Sequence, residues 1–156
     1  MSRSEEIIQT PLPTYVVNTE GLVVREGRYL MIVRGEGESQ APGALAAPGG
    51  KVEYGDSLDG ILEATLRREI LEETGVMAGD MAYVCSSQFN LDTGEPVLDV
   101  AFLCKFESGQ AHVADPDEVS EVLWLTAQEI DAHHRAPSWT RATVHAAEAL
   151  RQALGW

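Results

Sequence analysis

The chain has 156 residues, 44% apolar and 23% charged, which suits one soluble globular domain and leaves no apolar run of the ~18 residues that a membrane span needs. Eleven Lys and Arg stand against 25 Asp and Glu, and the formal charge of −14 sets the chain against a nucleic acid polymer while permitting a small anion screened by a divalent cation. Cys85 and Cys104 are too few for a disulfide framework and are expected to be buried thiols in a reducing compartment. With no basic-then-apolar leader, the expected location is cytoplasmic.

Residues 1–12 read as a flexible polar segment, and 13–156 as a single domain. TYVVNTEGLVV is β-branched and predicts a strand, REGR a turn through Gly27, and YLMIVR a second strand ending on Arg34, an exposed strand-end charge. GEGESQAPGALAAPGG is a long Gly- and Pro-rich loop of the kind that forms lids or binding loops, and KVE follows as a short strand. The segment from about Ser57 to Thr74 reads as the first clear helix. MAYVCSSQFN and PVLDVAFLCKFE are strands joined by the turn LDTGE, and SGQAHVADPDE is a loop. SEVLWL is a strand with Trp124 in the core. A short helix capped by Thr126 follows, then a last helix over TRATVHAAEALRQAL. His133 and His134 fall where they would complement the end of the short helix. Strands, helix, strands and helices without βαβ alternation predict an α+β fold, a mixed sheet flanked by helices.

The chemistry concentrates in GGKVEYGDSLDGILEATLRREILEETGV, Gly49 to Val76. Glu69, Glu72 and Glu73 share one helix face by their spacing, and Gly75 ends the helix as a left-handed cap. Glu72 and Glu73 then sit in the last turn, at the negative end of the dipole, where each carboxylate costs roughly 0.3–1 kcal/mol. Pairing with Arg67 and Arg68 on an exposed face is the alternative, although it does not account for all three glutamates. A hard divalent cation reverses the sign of these costs. Pro48-Gly49-Gly50 adds a turn in which backbone can approach a metal, Gly49 through its carbonyl.

These residues resemble the Nudix hydrolase motif, a glycine, five residues, a glutamate, seven residues, then R-E-U-x-E-E-x-G-U with U bulky and aliphatic. Arg68, Glu69, Ile70, Glu72, Glu73, Gly75 and Val76 match the second half, and Gly50 opens the first. Asp56 stands where glutamate is expected, and eleven residues, four too many, separate it from Arg68. The preferred expectation is an added helical turn capped by Asp56 or Ser57, with Leu58, Ile61, Leu62 and Thr65 burying one stripe. The alternative is a longer loop, with the helix starting near Ile61 and Gly60 outside it.

The resemblance implies an α/β/α sandwich and a Mg²⁺-dependent (Mn²⁺ also suitable) pyrophosphohydrolase acting on a small nucleotide, with a nucleoside triphosphate as the default substrate. It implies metal ligation by Gly49, Glu69, Glu72 and Glu73, with Glu72 also able to orient water. Arg68 would hold the glutamates through a bidentate pair. Glu118, with Glu121 second, is the candidate for an acidic residue from a later loop, including the general base. A homodimer is compatible with the resemblance. The rival expectation is an inactive Nudix-like domain that senses nucleotide without cutting it.

Overall fold

The computed structural model describes residues 10–55 and 59–156. Its strands are β1 (Val16–Arg25), β2 (Arg28–Arg34), β3 (Leu45–Ala46), β4 (Gly49–Lys51), β5 (Val76–Asn90), β6 (Pro96–Gly109) and β7 (Val119–Leu125). The helices are α1 (Ile61–Thr74), α2 (Ala127–Ala132) and α3 (Ser138–Leu154). Among the described residues the strands form one sheet, ordered β3-β2-β1-β6-β5, with β4 on β1 and β7 on β2. β1 runs parallel to β6, whereas its pairings with β2 and β4 are antiparallel, so the sheet is mixed as expected.

Side-chain alternation along β1 divides the core between two faces. Leu22 and Val24 join Met31, Leu103 and, from α2 and α3, Ile130, Val144 and Ala147. Val23 points the other way and packs with Leu30, Val76, Phe102 and the α1 residues Leu66 and Ile70. Each fully buried side chain of this size stabilises the fold by roughly 1.5–3 kcal/mol. The result is a sandwich with α1 on one face and α2 and α3 on the other.

Two local signals behave as their chemistry dictates. Glu26 (φ 51°) and Gly27 (φ 73°) both turn left-handed between Arg25 and Arg28, which matches the right-handed twist of a two-residue hairpin. Thr126 caps α2 by accepting from the Glu129 N–H at 3.1 Å, and Glu129 accepts in return from the Thr126 N–H at 2.9 Å. His133 ends α2 through its backbone, its N–H donating to Ile130 O, while its ring stacks on His134 at 5.0 Å.

The added helical turn is not what forms. α1 begins at Ile61, and Gly60 lies just outside it at φ 59° and ψ 39°, a left-handed conformation that no right-handed turn includes. The helix starts where the alternative expectation put it, with Gly60 outside. Asp56, Ser57 and Leu58 lie outside the described residues. Ile61 is exposed rather than part of a buried stripe, and Leu66 and Ile70 anchor the helix. β5 also starts earlier than MAYVCSSQFN suggests, because Val76-Met77-Ala78 pairs with the end of β6 and an irregular register absorbs Gly79 and Asp80.

Candidate metal centre

The last turns of α1, the strand β4 and the segment 110–118 converge at one end of the sheet. Gly75 closes α1 at φ 73° with its N–H on Leu71 O. The carbonyls left over at that end are then satisfied from outside, Thr74 O by the His112 N–H at 3.0 Å and Glu73 O by the Ala114 N–H at 3.1 Å. The same segment carries Glu118 to the site, where Glu118 O accepts from the Gly35 N–H at 2.8 Å.

Carboxylate oxygens of Glu69, Glu73 and Glu118 come within 4.8 Å of one another. Glu73 is 5% exposed, and its Oε2 accepts from the Gly49 N–H at 3.3 Å. Glu69 lies over Gly50 so closely that a Cβ there would sit 2.4 Å from the Glu69 carboxyl carbon, so glycine makes room for the carboxylate. Burial, reinforced by the charges of Glu69 and Glu118, pushes the Glu73 carboxyl up to about 8. The Gly49 N–H and Arg34 oppose that rise without cancelling it. Glu69 is raised by burial and by Glu72 and Glu118 against the pull of Arg68. Glu118 is raised by burial, then by Asp115 and Glu38. Three carboxylates held together and all resisting ionisation form a hard-oxygen donor set that a divalent cation fits.

Residues 15–147 match the family described as NUDIX domain. The chain belongs to the Nudix family. It is 34% identical over 101 residues to the NAD-capped RNA hydrolase NudC of Photobacterium profundum, a match covering 65% of this chain and 34% of NudC. It is 35% identical over 119 residues to the Nudix hydrolase YfcD of Escherichia coli, covering 76% of this chain and 61% of YfcD. The chain therefore spans between about a third and three fifths of these relatives. The crystal structure of a MutT NUDIX hydrolase from Burkholderia pseudomallei superimposes with a TM-score of 0.72 at 25% identity, over 85% of this chain and 97% of that one.

Within this Nudix fold the sequence-derived residues separate. Glu69, Glu73 and Glu118 meet; Glu72 stays outside the cluster, its side chain 55% exposed, although its charge still acts on Glu69 and Glu118. Gly49 engages the site through its N–H on Glu73. Arg68 Nη1 reaches both Glu69 Oε1 (2.9 Å) and Glu72 Oε2 (3.4 Å) and so links the two glutamates. Glu121 lies apart on β7, 3.9 Å from Arg135. Arg34 is no free strand-end charge: it bonds Gln40 O and Glu38, and its charge reaches Glu73 and Glu118.

Trp124 packs edge-on against Phe106 at 5.9 Å beside the α1-side core, as expected. Both thiols are free, but only Cys104 is fully buried, while Cys85 lines a cavity beneath α3. Two more carboxylates, Glu20 and Asp99, line that cavity and are not among the residues that the motif singles out.

Proposed function

We propose that this chain is a divalent-cation-dependent hydrolase that cleaves a diphosphate linkage in a nucleoside di- or triphosphate or a nucleoside diphosphate derivative. The observation that carries this reading is the convergence of the Glu69, Glu73 and Glu118 oxygens within 4.8 Å. The chain keeps three mutually repelling carboxylates there although they strain its own stability. The family's substrates and the hydrolase names of NudC and YfcD support the same reading.

Glu69, Glu73 and Glu118 would hold the cation, with Gly49 O and Glu72 as further donors. Bound Mg²⁺ or Mn²⁺ would screen the diphosphate and acidify the attacking water. The remaining work falls to the chain. The Gly49 N–H fixes the direction of Glu73 Oε2, and Arg68 ties Glu69 to Glu72. Arg34 places a positive charge beside the carboxylates, where it can meet a phosphoryl oxygen. Glu118, exposed at the rim, is suited to take the proton of the attacking water.

The test is a nucleotide panel assayed for released phosphate or pyrophosphate with Mg²⁺, with chelator, and with the Glu73→Gln variant. Turnover that requires the cation and falls at least a hundredfold in Glu73→Gln is expected. Nucleotide binding without metal-dependent turnover would instead establish a sensor domain.

A further inference from the structure

The two edges of the sheet are finished differently. At the β3 edge the chain covers itself: the Leu45 N–H donates to Arg135 O at 2.9 Å, and Leu45 O accepts from Thr140 Oγ1 at 2.9 Å. At the other edge β5 is the last strand, 15 residues long, and among the described residues it pairs only with β6. Its outer N–H and C=O groups form a row that another strand can join.

Lysine, proline, inward charges and bulges are the usual protection of such an edge. β5 keeps its irregularities to its first half. Register shifts fall between Met77 and Cys85, and Arg67 Nη2 takes the Gly79 carbonyl there at 3.2 Å. Over residues 85–90 the pairing with β6 runs without a shift. Residues 81–90 also include no Asp, Glu, Lys or Arg, in a chain with 25 acids and a formal charge of −14. Ser86, Ser87, Gln88, Phe89 and Asn90 are all exposed.

We propose that this edge binds a second copy of the chain, the two β5 strands pairing antiparallel over residues 85–90 about a two-fold axis. Two chains of charge −14 repel, and they meet at least cost where neither brings a charge. Outward-facing backbone groups alternate along a strand, so the axis falls on a residue, Ser87 or Gln88, which then faces its own copy. A charged side chain at that place would repel itself. Serine and glutamine each donate and accept, so either can bond its own kind. Gln88 is engaged within the chain only by a long contact, accepting from the Tyr15 hydroxyl at 3.4 Å. Phe89, 44% exposed, comes to lie across from Cys85 or Ser87 of the other copy, where its ring gains cover. Such a contact closes on itself and continues one sheet through both copies.

The pairing stands apart from the carboxylate cluster. β5 leaves α1 at Val76, and residues 85–90 lie in its far half. At ~3.3 Å per residue the separation is roughly 25–30 Å. Self-pairing is therefore independent of the hydrolase activity.

Sedimentation equilibrium without nucleotide or metal reads the mass directly. A species of twice 16.9 kDa is expected to grow in as concentration rises through the micromolar range. Ser87→Lys and Gln88→Lys each bring like charges together at the seam and are expected to weaken association at least tenfold, although each lowers the net charge. Gln152→Lys makes the same charge change on exposed α3 surface and is expected to associate like the wild type. Circular dichroism checks that each variant is folded. Register is read separately, in a Cys85→Ser background: either Ser87→Cys or Gln88→Cys is expected to form an intermolecular disulfide on mild oxidation, since residues facing across the axis lie about 4.5–5.5 Å apart. A wild-type chain that stays monomeric at submillimolar concentration overturns the proposal. So does a dimer that both lysine variants leave intact, or the absence of a cross-link at either position.

Discussion

Glu73 holds a proton far more tightly in the folded chain than in the unfolded one, because burial lifts its carboxyl from 4.5 to about 8. The sign follows from linkage: below 4.5 the group is protonated in both states and contributes nothing, whereas above about 8 the fold carries a buried charge. Stability without metal should fall as pH rises through that window, by about 1.4 kcal/mol for each pH unit crossed. Urea unfolding in chelator at pH 5 and pH 9 is expected to show this decline in the wild type and a shallower one in Glu73→Gln. An equal decline in both would locate the charge penalty elsewhere. Gly50 invites a second change at the same scale. Gly50→Ala drives a methyl group into the Glu69 carboxylate, and since that end is a flexible side chain, Glu69 must swing aside. The variant should fold but bind Mn²⁺ at least tenfold more weakly by calorimetric titration.

Among the elements, the segment 110–118 joins helix termination to the carboxylate cluster. Its N–H groups at His112 and Ala114 satisfy the last carbonyls of α1, and its far end delivers Glu118. Ala114→Pro removes one donor and should cost roughly 1–3 kcal/mol, the penalty for leaving a polar group unsatisfied. Because Glu118 shifts with the segment, turnover should fall more than stability does, which thermal melts and initial rates on one preparation would separate. No sequence signal announces this docking, because it joins backbone groups whose side chains are uninformative. The motif glutamates, the Gly75 cap and the two-residue β1–β2 turn are legible in the sequence, since each depends on local chemistry. The start of α1 is not. Periodicity alone allows a further turn, and Gly60, although it marks the alternative start near Ile61, does not decide between them without its left-handed conformation. Glu20 and Asp99 stay hidden for a third reason: they belong to different strands, and only the parallel β1–β6 register brings them to one cavity.

For the whole molecule, a charge of −14 and three clustered carboxylates, of which Glu73 is buried, set up a repulsion that a counter-ion would relieve. A cation that binds only the folded chain stabilises it by mass action, about 2.7 kcal/mol at a hundredfold excess over Kd. Saturating Mg²⁺ should therefore raise Tm by roughly 5–10 °C for a domain of this size. An unchanged melting curve at millimolar Mg²⁺ would count against the metal centre itself. Among the described residues no helix is long and apolar enough to cross a membrane.

The parallel seam between β1 and β6 also has a consequence for how the chain reaches this state. β5 and β6 meet through a tight local turn, Leu91 N–H on Glu95 O and Gly94 N–H on Leu91 O, and can zip together early. β1 pairs locally with β2, but its parallel edge must wait for a partner 81 residues away, as the Asn18–Asp99 bond records. Closing so long a loop is entropically slow, so docking of β1 is the natural late step. During synthesis β1 emerges well before β6 exists, and its apolar LVV run stays exposed for that interval. β4 pairs with β1 alone, so its glycine turn can form against that strand before β6 arrives.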